Sequence, residues 1–347
     1  MTIFCHKGVD KALRWSDDFS FFHFPLVCSS TSPLFPLFSP TPLQPSSTPN
    51  TWTYAFDESL IFNVAKELSW LWALNKHILF TFIFPYLGFE WDLTNKMVAI
   101  PQKKCAKYLA CIELWVAGAS ASLKDCQSVL GCLQHCTLIL SDGCSHLPLL
   151  YHLCSSFKDL SNTFIKHHIS PACLEDIAWW RSTLSSEWCG THISVPPNPL
   201  LNSIFVDAST SFGIGLILDG SWLAWKLSEG WRLGDCNISW AEMVAIDLGL
   251  CTLIHSGFRD CHLIFHSDNQ GMVSALKSGC SCNSAQNFIL HHIISNFRDH
   301  NIWLSLEWVN SSNNLSDDVS QGIFLPSARY THPPPLPAYL KSLVTLA

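Results

Sequence analysis

Two periods of apolar residues organise the chain from residue 201 onward. SIFVDAS (203–209) and GIGLIL (213–218) are short apolar runs closed by Ser and Gly, and WLAW (222–225) is a third. Such runs fit buried strands. Asp219-Gly220 lies between the second and third and is a two-residue hairpin signal that favours φ > 0. Residues 239–255 change period: Trp240, Val244, Leu248 and Cys251 recur at i, i+4, i+8 and i+11, a helical stripe. HLIFHSD (262–268) predicts a fourth strand, and helices are expected through Met272 to Leu276 and over 285–297. Residues 302–309 alternate, with Ile302, Leu304, Leu306 and Trp308 on one face. The predicted order is βββαβααβ. Helical crossovers would make strands one, four and five parallel. The fold class expected is α/β, a mixed five-stranded sheet with flanking helices, preceded by a mainly helical region.

Upstream the pattern is looser. LRWSDDFSFFHFP places an apolar run beside Asp17 and Asp18, and residues 29–50 are dominated by Ser, Thr and Pro. Proline removes donors and fixes φ, so 29–50 reads as a linker. Residues 58–74 are helix-like. YLGFEWDL and KMVAIP flank a polar turn at Thr94-Asn95 and predict a hairpin. From 103 to 184 the pattern is mainly helical, with breaks at Gly143 and Pro171, and VPPNP (195–199) marks a boundary. The expected segments are 1–28, the linker 29–50, 51–194, 195–330 and a C-terminal tail 331–347.

Composition narrows the partners. Charged residues are only 14% and the net charge is −7, so no chain-wide basic surface exists to grip nucleic acid. The local candidate is Lys96, Lys103, Lys104 and Lys107, a stretch without an acidic residue, which also reads as a solvated helix start. The sixteen cysteines are scattered without a C-x-x-C pair. Reduced, mostly buried thiols of an intracellular protein fit better than a disulfide scaffold or a zinc site. His167-His168 and His291-His292 fall in helix-like segments and read as structural. No secretory signal stands out, and the apolar run 78–89 contains Pro85 and is too short to cross a bilayer. A soluble protein is expected.

The chemistry concentrates in four carboxylates. Asp207 ends the first predicted strand and Asp268 the fourth; at the carboxyl ends of adjacent parallel strands they would come within bridging distance of a cation. Glu242 lies in the first turn of the helix between them, and Asp317 follows the last strand. Converging carboxylates repel unless a cation neutralises them, and hard oxygen donors favour Mg²⁺ or Mn²⁺. Each residue also has a plainer reading. Ser239-x-x-Glu242 fits a capping box, Asp207 a turn, Asp268 a helix cap, and Asp317-Asp318 a solvated pair.

FVDAST, SWAEMVAI, FHSDNQGMVSAL and NNLSDDVSQG together resemble the four motif blocks of retroelement-type ribonuclease H. The resemblance covers about residues 201–325. It implies catalytic, metal-binding roles for Asp207, Glu242, Asp268 and Asp317. The last block resembles N-x-x-A-D-x-L-S-R, with Ser316 for Ala, Val319 for Leu and Gln321 for Arg. Asp317 fits that aspartate because it stands three residues before Ser320. The loop 310–315 has no histidine, which leaves the general acid unassigned.

Upstream, LRWSDDFSFF resembles the Y-x-D-D block of a reverse transcriptase palm, with Trp15 in the tyrosine position. ELSWLWALNK resembles the next segment, bringing Lys76, and YLGFEWD resembles the primer-grip hairpin. Residues 103–184 look like thumb and connection helices of fungal retroelement polymerases of the tyrosine-recombinase class. Only sixteen residues precede Asp17, so the upstream metal-binding aspartate and the fingers of such a palm are expected to be lacking. The resemblance therefore implies a reverse-transcriptase remnant without autonomous polymerase activity.

The resemblance implies Mg²⁺-dependent endonucleolytic cleavage of the RNA strand of RNA–DNA hybrids, with two Mg²⁺ ions (or Mn²⁺) as cofactor. The hybrid, and a fuller polymerase chain, would be partners. The alternative is a catalytically silent nucleic-acid-binding or structural module. An integrase on the same fold is disfavoured, because the glutamate follows the first strand instead of lying in a late helix.

Overall fold

A computed structural model describes residues 7, 11–15, 18–22, 56–71, 73–158, 165–232, 234–324 and 326–347. Asp17 and the linker 29–50 lie outside the described residues. The chain divides into two compact units, Met1–Phe84 and Pro85–Ala347.

In the first unit, β1 (Lys11–Trp15) and β2 (Asp18–Phe22) form an antiparallel hairpin with Trp15 paired to Asp18. Helix α1 (Glu58–Glu67) starts where Asp57 accepts a hydrogen bond from the Leu60 amide, and buries Ile61 and Val64 beside Phe56. It is shorter than the expected 58–74: Ser69 takes φ +52°, which ends helical geometry. Lys76 closes a 3₁₀ turn, Leu74–Lys76. Strand β3 (Ile83–Tyr86) crosses the division between the units.

Among the described residues the second unit holds two large hydrophobic cores and a small third cluster of Ile217, Ala224 and Val319. Around the first stand β4 (Phe89–Asp92), β5 (Met97–Ala99), α2 (Gln102–Ile112), β6 (Ser120–Ser122), α3 (Leu123–Cys136), α4 (Pro148–Ser155), β7 (Lys166–His168), α5 (Pro171–Leu184) and β8 (Gly190–His192). The predicted β4–β5 hairpin is present, Asp92 opposite Met97. β5 then pairs with β8, a partner far away in sequence. Two local expectations need correction. Pro171 starts α5 instead of breaking a helix, because it occupies the first turn behind the cap Ser170. His167 and His168 lie in β7, not in a helix. The stretch 103–184 is mainly helical, as expected, with the break at Gly143 falling in a 3₁₀ turn, Ser141–His146, and the short strands β6 and β7 between helices.

Around the other core lie β9 (Ile204–Ala208), β10 (Gly213–Leu218), β11 (Ser221–Leu227), α6 (Ile238–His255), β12 (His262–Ser267), α7 (Gln270–Ser278), α8 (Ser284–His300), β13 (Trp303–Trp308), α9 (Asp317–Ser320) and β14 (Val344–Leu346). Asp219 (φ +49°) and Gly220 (φ +81°) turn the β10–β11 hairpin as their sequence predicts. β9, β12 and β13 are parallel neighbours, and β9–β10–β11 are antiparallel. The sheet has six strands in the order β13-β12-β9-β10-β11-β14, not five. The sixth comes from the segment expected to be a tail. β14 pairs with β11, and Leu340 and Val344 are buried in the core. Tyr339 fastens this segment by donating to the buried carboxylate of Asp247, which His292 also holds at 2.8 Å.

Helix α6 is buried almost all round. Among the described residues it alone is long and apolar enough to cross a bilayer, yet it packs within this core. Gly249 permits the fit. A Cβ there would meet Phe265 at 2.8 Å and Val206 at 3.3 Å, so α6 lies directly on β9 and β12. The architecture is mixed α/β, with a mixed sheet and several helices. The fourteen cysteines among the described residues are all free thiols.

Candidate carboxylate centre

Backbone register brings the first two carboxylates together. β12 pairs with β9 in parallel at Phe265↔Ile204 and His266↔Phe205; carrying that register two residues on sets Asp268 opposite Asp207. Helix α6, seated on the same strands, supplies Glu242. Carboxylate oxygens of Asp207, Glu242 and Asp268 all lie within 4.8 Å of one another. Asp207 and Glu242 are buried, at 5% and 6% exposure, while Asp268 is half-buried.

Glu242 is not a capping residue. The helix is capped two residues earlier than the capping-box reading requires, by Asn237, whose side chain accepts from the Trp240 amide at 3.0 Å. That places Glu242 in the second turn, where no free backbone donor needs it. Its Oε2 is buried without a hydrogen-bond partner among the described residues. Burial, then the neighbouring Asp207 and Asp268, push the Glu242 carboxyl up to about 9, with the Asn269 side chain opposing.

Asp207 is better held. Ser320 donates to its Oδ2 at 2.5 Å, and the Asn314 side chain approaches its Oδ1 at 3.4 Å. Even so, burial raises it to about 7 against the Ser320 bond, helped by Asp268 and Asp317. Ser311 donates to Asp268 Oδ2 at 2.5 Å, and the Trp308 indole donates to its backbone carbonyl at 2.9 Å. Asp268 does not cap α7; Asn269 does, accepting from Gly271 and Met272.

Asp317 stands beside this group, not inside it. It begins α9, half-buried, and its Oδ1 accepts from Gln321 at 2.8 Å. Asp318 is exposed. An open groove of about 540 Å³ passes both, lined also by Ser311, Asn314 and Ser327. The docking of α9 depends on Gly215, the residue paired with Asp207 across the sheet. A Cβ on it would meet the Ser320 amide at 2.6 Å and the Ser316 carbonyl at 2.7 Å.

Reading of the residues alone missed Asn269, Ser311, Asn314 and Ser320. Three of these fall in or beside the NNLSDDVSQG block, where a run of short hydroxyl and amide side chains was the available signal. The four lysines sit elsewhere: Lys96 in the exposed β4–β5 turn with φ +52°, and Lys103, Lys104 and Lys107 on the first two turns of α2. Asp18 opens β2.

An oxygen-only set of three crowded, largely buried carboxylates fits a hard divalent cation, since neutralising them removes their mutual repulsion. The orphaned Glu242 oxygen is the clearest sign of that fit.

No family model matches the chain, and no curated protein matches it. Among solved structures it is similar to a foamy viral protease-reverse transcriptase in complex with double-stranded DNA, at 14% identity and a TM-score of 0.33, covering 72% of this chain and 42% of that one. It is also similar to the foamy viral enzyme in complex with an RNA/DNA hybrid, at 14% identity and a TM-score of 0.31, covering 80% of this chain and 35% of that one. The chain thus spans less than half the length of the solved chains it matches.

Proposed function

We propose that residues 195–347 act as a Mg²⁺-dependent ribonuclease H, cleaving the RNA strand of RNA–DNA hybrids, in a chain of reverse-transcriptase origin. The observation that carries this reading is the convergence of Asp207, Glu242 and Asp268 from β9, α6 and β12, with one Glu242 oxygen buried and unpartnered. The order of the four sequence blocks supports the same reading.

In this proposal Asp207, Glu242 and Asp268 hold divalent cations, with Asp317 at the margin of the site. Bound there, two such ions would activate a water and stabilise the leaving oxygen of a phosphodiester. The rest of the work belongs to the chain's own side chains. Ser320 and Asn314 fix the rotamer of Asp207 from one side of the sheet, and Ser311 fixes Asp268. Gln321 orients Asp317. Burial of α6 excludes water from behind Glu242. With Glu242 raised to about 9 and Asp207 to about 7, the metal-free chain keeps a proton on Glu242 at neutral pH and shares one partly on Asp207, so loading a cation would release protons.

The test is cleavage of a labelled RNA–DNA hybrid by the purified chain, with Mg²⁺ or Mn²⁺ and with chelator. Metal-dependent cuts in the RNA strand are expected, lost in Asp207→Asn. Wild-type protein that melts cooperatively yet cuts nothing at any concentration of either ion would favour the silent-module reading.

A further inference from the structure

A second cluster of metal-capable side chains lies in the same unit, at the seam between its two large hydrophobic cores. His146 ends the 3₁₀ turn Ser141–His146, Asp176 comes from α5, and His291 comes from α8. One ligand atom of each lies within 4.8 Å of the other two. His146 Nδ1 is 2.9 Å from Asp176 Oδ1. Asp176 is only 6% exposed, and its second oxygen, Oδ2, is buried without a hydrogen-bond partner among the described residues. A buried carboxylate with one imidazole contact and one bare oxygen is costly unless something neutralises it.

We propose that His146, Asp176 and His291 form a transition-metal site of the Zn²⁺ class, which ties α8 to the 3₁₀ turn and α5. Two imidazoles and a carboxylate are borderline donors that suit Zn²⁺ over Mg²⁺. The supports of the rings are already in place. His146 is sandwiched between Trp179 at 4.1 Å and His291 at 4.0 Å, and its carbonyl accepts from the Trp180 indole. His291 Nε2 is 2.8 Å from the Ser145 carbonyl, on which Asn287 also converges. A metal lies in the plane of each imidazole it binds, so loading must turn at least one ring out of this stack. His146 and His291 are half-buried, so solvent reaches the edge of the cluster. None of these residues belongs to the carboxylate centre, so this site stands or falls independently of the nuclease reading.

The experiment is titration of chelator-stripped full-length protein with Zn²⁺ or Co²⁺, reading stoichiometry, melting temperature and the visible absorption of Co²⁺. One equivalent bound, a raised melting temperature and a visible band are expected from wild type and equally from an Asp207→Asn/Glu242→Gln double variant. Millimolar Mg²⁺ should reproduce none of these at this site. Residues that only support metal ligands are worth roughly 10–100-fold in affinity; Asp176→Asn and His291→Gln remove direct ligands and should weaken Zn²⁺ binding by at least that factor. Failure of wild type to bind Zn²⁺ or to show the Co²⁺ band overturns the proposal, with no variant needed. So does binding that survives in His291→Gln but disappears in the double variant or in Asp247→Asn.

Discussion

Glu242→Gln separates a metal ligand from a structural glutamate. With Glu242 raised from 4.5 to about 9, the folded chain at pH 8 keeps a proton that the unfolded chain has released. Holding it against 3.5 pH units costs at most about 5 kcal/mol, at about 1.4 kcal/mol per unit. Relaxation of the site and water entry reduce this, so the amide should stabilise the metal-free protein by roughly 1–3 kcal/mol. The sign depends on pH. Between about pH 4.5 and 9 the folded state binds more protons than the unfolded one, so wild-type stability falls as pH rises through that window, and the variant loses this part of the slope. Near pH 4.5 and below the two proteins should melt together. At pH 8 in chelator the variant should melt higher, by roughly 2–4 °C per kcal/mol. Adding Mg²⁺ should raise the wild-type melting temperature more than the variant's and start hybrid cleavage only in wild type. A Glu242→Gln protein that melts at or below wild type in chelator at pH 8, with an unchanged pH slope, would refute the reasoning.

Asp207→Asn should keep the fold and reduce cleavage by at least about a hundredfold, whereas Asp318→Asn, at an exposed position, should be nearly silent in both the cleavage and melting assays. Gly215→Ala should cost about 1–3 kcal/mol by pushing α9 away from β10, and should slow cleavage beyond the loss of folded protein, as measured at a temperature where the variant stays folded. Tyr339→Phe should cost about 1–3 kcal/mol by removing a donor from the fully buried Asp247. His292 is raised by its bond to Asp247, so its contribution is present below about pH 6.5 and lost as pH rises through the raised value; His292→Gln should destabilise more at pH 6 than at pH 9 in thermal melts. Replacing Lys96, Lys103, Lys104 and Lys107 by Ala should flatten the salt dependence of hybrid binding by up to about 0.9 for each phosphate no longer neutralised, and an unchanged slope would exclude them from the interface.

Legibility followed the length of the signal. β9, β10, β12 and the Asp219-Gly220 turn were readable because several residues repeat one period and the turn chemistry agrees. β14 and β8 have three residues each, too few for alternation to register, and their pairings are long-range. β14 also follows a proline-rich stretch that reads as a tail. Glu242 was readable as a candidate, but Ser239 offered a false cap. Asn237, two residues earlier, won because its side chain reaches the Trp240 amide. The His146–Asp176–His291 cluster was beyond reach of the sequence. Its members come from three elements, and no local spacing announces them.

The register between β9 and β12 sets what kind of genetic change the carboxylate centre can survive. Substitutions elsewhere on these strands cost packing but leave Asp207 and Asp268 facing each other. Deleting or inserting one residue between Ile204 and Asp207, or between Phe265 and Asp268, leaves every acidic residue in the chain. It nevertheless turns one carboxylate to the opposite face of the sheet, because side chains alternate with a period of two. A lineage of such chains could therefore drift widely in sequence while remaining intolerant of length changes in two short stretches of strand. A library of single-codon deletions across 204–208 and 262–268, scored for Mg²⁺-induced stabilisation, would show that intolerance as two sharp gaps.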